Sequence, residues 1–288
     1  MSVSEELGTT HEVQLATGRI RYRERGEGPP VVFVHGLLVN ADLWREVVPA
    51  VAAAGFRCLA PDWPLASHEL AVPDADLSPA GVSGLVAEFL ERLNLSDVTV
   101  VANDTGGAIT QILMTQSPER IGRVVLTPCD SLERFFPPMF AFLPPLARIP
   151  GSLWLLTQAL RLRAIHRLPM VFGWLAKRPI PPQIVDSYLL PSRRDPAIRA
   201  DMRRFVRTVH RRHTLAAADA LPGFGKPVLL AWSTEDRLFP IELAHRLAQR
   251  LPDAQIEAIG DSYTFVPEDQ PQRLAALIIQ FARAGAAA

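Results

Sequence analysis

Short apolar runs alternate with helical spacing along this chain, and that alternation constrains the fold more than any other feature. Apolar or strand-like runs at residues 31–34, 56–60, 98–101 and 124–126 are separated by helical patterns at 43–54, 78–95 and 107–117. The pattern resumes late in the chain, with runs at 228–232 and 255–259 and helices at 241–251 and 272–284. Continuously apolar strands need cover on both faces, which predicts a mostly parallel sheet covered by helices on both faces, an α/β fold. Ahead of it, residues 12–15 and 20–23 alternate with a period of two around Thr17-Gly18, the signal of a hairpin. Ser78-Pro79 reads as a helix start, because serine accepts from first-turn amides and proline has no N–H to leave unpaired.

After the sixth strand pattern the alternation stops. Residues 131–222 are helical and punctuated by proline, with fifteen basic side chains against Glu133, Asp186, Asp195, Asp201 and Asp219. That segment is near +10 and the rest of the chain near −10, inside a total of 30 basic and 30 acidic residues. The predicted organisation is one α/β core, residues 1–130 and 223–288, with a helical cap inserted at 131–222.

Composition excludes several classes. With 48% hydrophobic residues and no net charge, the chain lacks the signature of disorder. A chain of 288 residues buries roughly three quarters of its unfolded surface, enough for a substantial core. The charge balance argues against a nucleic-acid partner. The most apolar stretch, residues 135–147, contains Pro137, Pro138, Pro144 and Pro145, so no integral membrane segment is expected. The first residues are polar and acidic, without the apolar centre of a signal peptide. Cys58 and Cys129 are too few for a disulfide framework or a metal cluster and read as buried thiols of a cytoplasmic protein; neither a metal nor another cofactor is expected.

The chemistry concentrates in Val100-Val101-Ala102-Asn103-Asp104-Thr105-Gly106-Gly107-Ala108, where an apolar strand runs through small residues into a helix. A turn this sharp pushes its central residue, Asp104, above the sheet edge, and the small neighbours permit the tight path. The amides of the following helix favour a carboxylate there. The plainer reading is an aspartate capping the helix N-terminus. Three further segments lie in the same order along the chain. His35-Gly36 ends an apolar run, Leu229-Leu230-Ala231-Trp232-Ser233-Thr234-Glu235-Asp236 ends another, and Ile259-Gly260-Asp261-Ser262-Tyr263-Thr264-Phe265-Val266-Pro267-Glu268 follows the last.

These four motifs, over essentially the whole chain and with the cap included, resemble the α/β-hydrolase superfamily, and within it the haloalkane dehalogenase and epoxide hydrolase branch with its aspartate nucleophile. The resemblance implies an α/β-hydrolase fold with Asp104 at the nucleophile position and Asp236 as the acid that orients a histidine. It puts the backbone amides of Leu37 and Thr105 at the oxyanion hole. His35 matches the histidine that braces that loop, read first as a structural hydrogen-bonding residue although it stands among the candidate substrate contacts. Phe136, Phe140, Trp154, Tyr188 and Phe265 complete that candidate set. With Phe135, Met139, Phe142 and Trp174, the cap aromatics predict an apolar lid over a pocket for a small hydrophobic molecule.

The departures from the family pattern are equally informative. In that branch a histidine precedes the residue matched by Phe265; here Thr264 stands there, after Tyr263. The family mechanism forms an ester on the aspartate and uses the histidine to activate water. Threonine cannot serve as that base, so an ester on Asp104 is expected to persist. The halide-holding Asn and Trp of dehalogenases are replaced by Leu37 and Thr105, and the cap offers only Tyr188 where epoxide opening uses tyrosines. His68, in a loop leaving the sheet's C-terminal edge, is the candidate relocated base, against the reading of a solvated loop histidine. His210 and His213 read as part of a solvated basic helix face. The basic cap itself fits an anionic substrate, an acidic partner or a membrane surface, or simply pairs with acids of the core.

Three functional readings follow. One is a hydrolase-family enzyme acting through Asp104 as nucleophile or acid/base. Another is a non-hydrolytic catalyst, a lyase, isomerase or cyclase working by proton transfer. The last is a catalytically silent ligand-binding protein on the same fold. Substrate identity and oligomeric state are not written in the sequence.

Overall fold

The computed structural model describes residues 2–284; Met1 and residues 285–288, the extremities of the predicted core, lie outside the described residues. Eight strands, β1 (Thr9–Leu15), β2 (Gly18–Arg25), β3 (Pro30–Val34), β4 (Arg57–Pro61), β5 (Val98–Asp104), β6 (Ile121–Cys129), β7 (Val228–Ser233) and β8 (Ala254–Ile259), form one sheet. Their order is β1-β2-β4-β3-β5-β6-β7-β8. The β1–β2 hairpin and the β2–β4 pair are antiparallel, and every other pair is parallel. Central strands are apolar on both faces because two cores sit on them. Val32, Val34, Val100 and Leu230 face one cluster, while Val31, Phe33, Val101 and Leu229 face the other.

The covering helices are α1 (Val48–Ala53), α2 (Pro79–Arg92), α3 (Thr105–Gln116), α9 (Ile241–Ala248), α10 (Val266–Asp269) and α11 (Pro271–Ala284). Between β6 and β7 stand α4 (Leu143–Leu146), α5 (Ser152–Ala159), α6 (Pro182–Arg194), α7 (Pro196–Thr208) and α8 (Arg212–Ala220), with short 3-10 and π turns and no strand beyond a single Ser131–Arg134 bridge. Ser78 caps α2 as its sequence predicts, accepting from the Gly81 amide at 3.1 Å. The helix expected over residues 43–54 is instead a 3-10 turn, Ala41–Trp44, followed by the short α1. Pro49 accounts for the break: with no N–H and a ring that clashes backward, it fits only the first turn of a helix. Strand β5 runs on to Asp104, and α3 starts immediately at Thr105, with no intervening loop. Among the described residues no helix is long and apolar enough to cross a membrane.

Candidate active site

Asp104 sits at the C-terminal edge of the sheet, with φ 54° and ψ −131°, the left-handed φ of a sharp strand-to-helix turn. Two glycines make the turn possible. A Cβ at Gly106 would meet the Val34 carbonyl oxygen at 2.3 Å, so α3 can start this close to β3 only without one. A Cβ at Gly36 would lie 2.1 Å from Asp104 Oδ2, so the loop after β3 reaches the carboxylate only as glycine. The Leu37 and Thr105 amides face the Asp104 carboxyl and favour its charged form, but burial outweighs them and pushes its pKa up to about 6.

Two further carboxyls couple to Asp104. Asp236, after β7, accepts from the Leu238 and Phe239 amides at 2.7 and 2.8 Å through Oδ1. Burial pushes it up to about 7, against those amides and with Asp104 adding to the rise. Thr264 is wholly buried; its hydroxyl faces Asp236 and favours the charged form, yet neither Thr264 Oγ1 nor Asp236 Oδ2 has a partner at hydrogen-bonding geometry. Asp130, one residue past β6, went unnoticed in the sequence. It accepts from Thr105 Oγ1 at 3.0 Å, its other carboxyl oxygen is unpartnered, and burial followed by repulsion from Asp104 pushes it well above the ordinary carboxylate range. The signal was an acid directly following an apolar strand at the ligand-binding edge of the sheet. Asn103 was missed as well: its Nδ2 donates to Thr127 Oγ1, the Pro128 carbonyl and the Thr264 carbonyl, tying the Thr264 loop to β5 and β6.

Over Asp104 lies a cleft between core and cap. Of its lining residues only Asp104 and Thr105 are polar; Leu37, Phe136, Phe140, Phe142, Leu156 and Met170 are among the rest. Among the described residues, Asp104 is thus the one ionisable side chain on the cleft wall.

Several expected contacts lie elsewhere. Trp154 turns outward and is half exposed, because its face of α5 points away from the core. Tyr188 is buried in α6 with its hydroxyl donating to Glu268 Oε1 at 3.1 Å, so it does not reach the cleft. Phe265 packs inside the second core, and its amide donates to the Leu175 carbonyl. His35 is fully buried and donates from Nδ1 to the Gly36 carbonyl, while Nε2 accepts from the Trp63 amide at 2.9 Å. Burial lowers its pKa to about 4, so it stands neutral and braces two loops rather than touching a ligand. His68 is neither solvated nor on the cleft wall: it is buried, with Nε2 3.1 Å from Asp201 Oδ2 of α7. That pair joins core to cap, and among the described residues no histidine lines the cleft.

One edge of the cap is bolted to the Thr264 loop. Asp269 accepts the backbone amides of Lys177, Arg178 and Tyr263, each at 2.9 Å. Lys177 pairs with Glu235 and Asp261, Arg178 pairs with Asp261, and the Arg237 guanidinium lies over the rings of Trp174 and Tyr263. Beside this, Arg45 grips Glu268 with two 2.6 Å bonds. By contrast, among the described residues, 135–172 hydrogen-bond only to other parts of the cap.

Comparison with known proteins agrees with this architecture. Residues 31–277 match the Alpha/beta hydrolase family. The chain is 28% identical over 269 residues to the uncharacterized hydrolase YugF of Bacillus subtilis, covering 90% of this chain and 93% of that protein. It is 27% identical over 285 residues to haloalkane dehalogenase 2 of Mycobacterium tuberculosis, covering 91% of each. Cis-3-alkyl-4-alkyloxetan-2-one decarboxylase of Shewanella oneidensis is 25% identical over 269 residues, with 87% of this chain and 81% of that protein covered. Among solved structures, the haloalkane dehalogenase DatA of Agrobacterium tumefaciens superposes with a TM-score of 0.81 at 23% identity, over 98% of this chain and all of that one, a likeness of fold. The chain belongs to the alpha/beta hydrolase family, an enzyme related to the haloalkane dehalogenases.

Proposed function

We propose that this enzyme acts on a small hydrophobic molecule held in the core–cap cleft, with the Asp104 carboxylate as nucleophile. The observation that carries the reading is the position of Asp104 as the sole ionisable group on an otherwise apolar wall, against two backbone amides. A carboxylate oxygen attacks an electrophilic carbon, a C–O bond forms, and the leaving group departs with its electron pair. The Leu37 and Thr105 amides hold the ester carbonyl oxygen that results. Clearing that ester requires a base to deprotonate water. Thr264 is no base, and the cleft wall carries no imidazole. The ester is therefore long-lived.

The test is intact-protein mass spectrometry after exposure to alkyl halides, epoxides and activated esters, with peptide mapping. An adduct on Asp104, absent in Asp104→Asn, supports the reading; adducts elsewhere or none, with no substrate consumed, refute it and favour a silent binding protein.

A second reading is favoured by the pKa of about 6 at Asp104, which suits a group that gives and takes protons near neutrality. In that reading the enzyme is a lyase, isomerase or cyclase, and water is not consumed. A decarboxylase among the relatives is in keeping with such chemistry in this family. Oxygen-18 from solvent water appearing in product excludes it.

A further inference from the structure

Nine large apolar side chains are exposed among the described residues, and seven of them fall between residues 142 and 170 of the cap, including Trp154, Leu155, Leu162 and Leu168. Their positions are not scattered. Phe142, Leu156, Leu160 and Met170 line the same cleft, so α4, α5 and the 163–173 turns meet around its mouth. Phe142 and Met170 are at once cleft lining and exposed surface. So many exposed apolar side chains gathered in one stretch of the cap call for an occupant.

Charge indicates which. From Glu133 to Asp186 the chain has no acidic residue between, and seven basic ones. Lys177 and Arg178 bind the core, and Arg163 pairs with Asp186. Arg148, Arg161 and Arg167 are exposed and make no ion pair among the described residues. A second basic cleft, lined by Arg163, His166 and Arg167, adjoins the first through their shared Phe172.

We propose that this face of the cap docks on an anionic lipid bilayer and turns the cleft mouth toward the acyl chains. Exposed Trp and Leu side chains enter the boundary between headgroups and acyl chains, while arginines beside them hold the negative headgroups. Outside residues 131–222 the chain carries a net charge near −10, which an anionic surface repels, so the charge asymmetry also favours this orientation. A second copy would present the same positive charge to this patch, which disfavours self-association there. Docking itself does not depend on the catalytic reading. Entry of substrate from the lipid does rest on that reading, so vesicle binding without any Asp104 adduct overturns the function alone.

The experiment is co-sedimentation of the full chain with vesicles of phosphatidylcholine, and of phosphatidylcholine and phosphatidylglycerol in equal parts, at low and high salt. The expected result is binding to the anionic vesicles that falls as salt rises. Arg161→Gln/Arg167→Gln should weaken it about thirty-fold, from roughly 1 kcal/mol per arginine near such a surface. Leu155→Gln/Leu162→Gln/Leu168→Gln, all at exposed positions outside the cleft wall, should weaken it by roughly tenfold or more. Three results overturn the proposal: no binding to anionic vesicles, binding indifferent to both variants, or a concentration-dependent dimer in sedimentation velocity that the leucine variant abolishes.

Discussion

Replacing Thr264 with histidine should convert a stalled nucleophile into a turning-over hydrolase. The wild-type side chain faces Asp236 across two unpartnered oxygens, Thr264 Oγ1 and Asp236 Oδ2. An imidazole at this position would donate Nδ1–H to Asp236 Oδ2 and present its other nitrogen to water near the ester on Asp104. General-base help of this kind contributes about 10²- to 10⁴-fold, so the adduct of Thr264→His should decay at least a hundredfold faster. The stability consequence is small because two effects oppose. Crowding a larger ring into a fully buried site costs about 1–3 kcal/mol, and a new hydrogen bond to a charged group returns about 1.5–3 kcal/mol. For a chain of this size the melting temperature should stay within about 4 °C of wild type. The assay is a pulse of alkyl halide or epoxide, a gel-filtration chase, and the adduct mass followed in time. The reasoning fails if a folded Thr264→His keeps its adduct as long as wild type does, or if wild type already clears it at the variant's rate.

Further outcomes follow from the same geometry. Asp236 carries a pKa raised from 3.8 to about 7 by burial, so the folded chain holds that proton more tightly than the unfolded one and loses stability as pH rises from about 4 through about 7. Asp236→Asn removes the buried charge; urea unfolding should show it equal to wild type near pH ~4 and more stable by about 2–4 kcal/mol at pH ~8, and a pH-independent difference contradicts the assignment. Gly36→Ala would drive a methyl into Asp104 Oδ2, and adduct formation should fall about a hundredfold in single-turnover kinetics, since displacement of about 1 Å is enough for that loss. Glu268→Ala strands the buried Arg45 and frees the Tyr188 hydroxyl; calorimetry should record a destabilisation of about 3–5 kcal/mol, and a change under about 1 kcal/mol would show that the pair is not needed to hold α6 on the core.

Strand positions were readable because both faces of the sheet are covered, which leaves runs such as residues 31–34 with no polar interruption. The tight turn at Asp104 was readable for a related reason: only glycine fits where α3 passes β3, and that requirement is visible as Gly106. What stayed hidden depends on contacts between distant segments. Nothing local in residues 62–68 says that His68 meets Asp201 from 133 positions away. Trp154 and Phe140 are both aromatic cap residues, and only the packing of α5 sends one outward and keeps the other on the cleft wall. Apolar spacing runs through residues 43–54, but Pro49 confines the α-helix to a start at Val48, so spacing alone overstates its length. Asp130 and Asn103 do their work through hydrogen bonds across strands, which periodicity does not register.

The asymmetric fastening of the cap has a consequence for how the cleft accommodates guests. Along residues 174–178 the cap is held by directional bonds to the loop after β8, whereas residues 135–172 meet the core through apolar contact alone. Apolar contact is non-directional and tolerates sliding far better than a carboxylate bridging three amides does. Residues 135–172 are therefore the part of the cap freest to shift, while α6 and α7 are pinned to the core by bonds such as Ser67 Oγ to the Tyr188 carbonyl and His68 to Asp201. Asp104 and the two amides beneath it belong to β5, α3 and the loop after β3, outside that part of the cap. Guests of different bulk can be taken by tilting the roof while the reacting geometry of the floor stays constant.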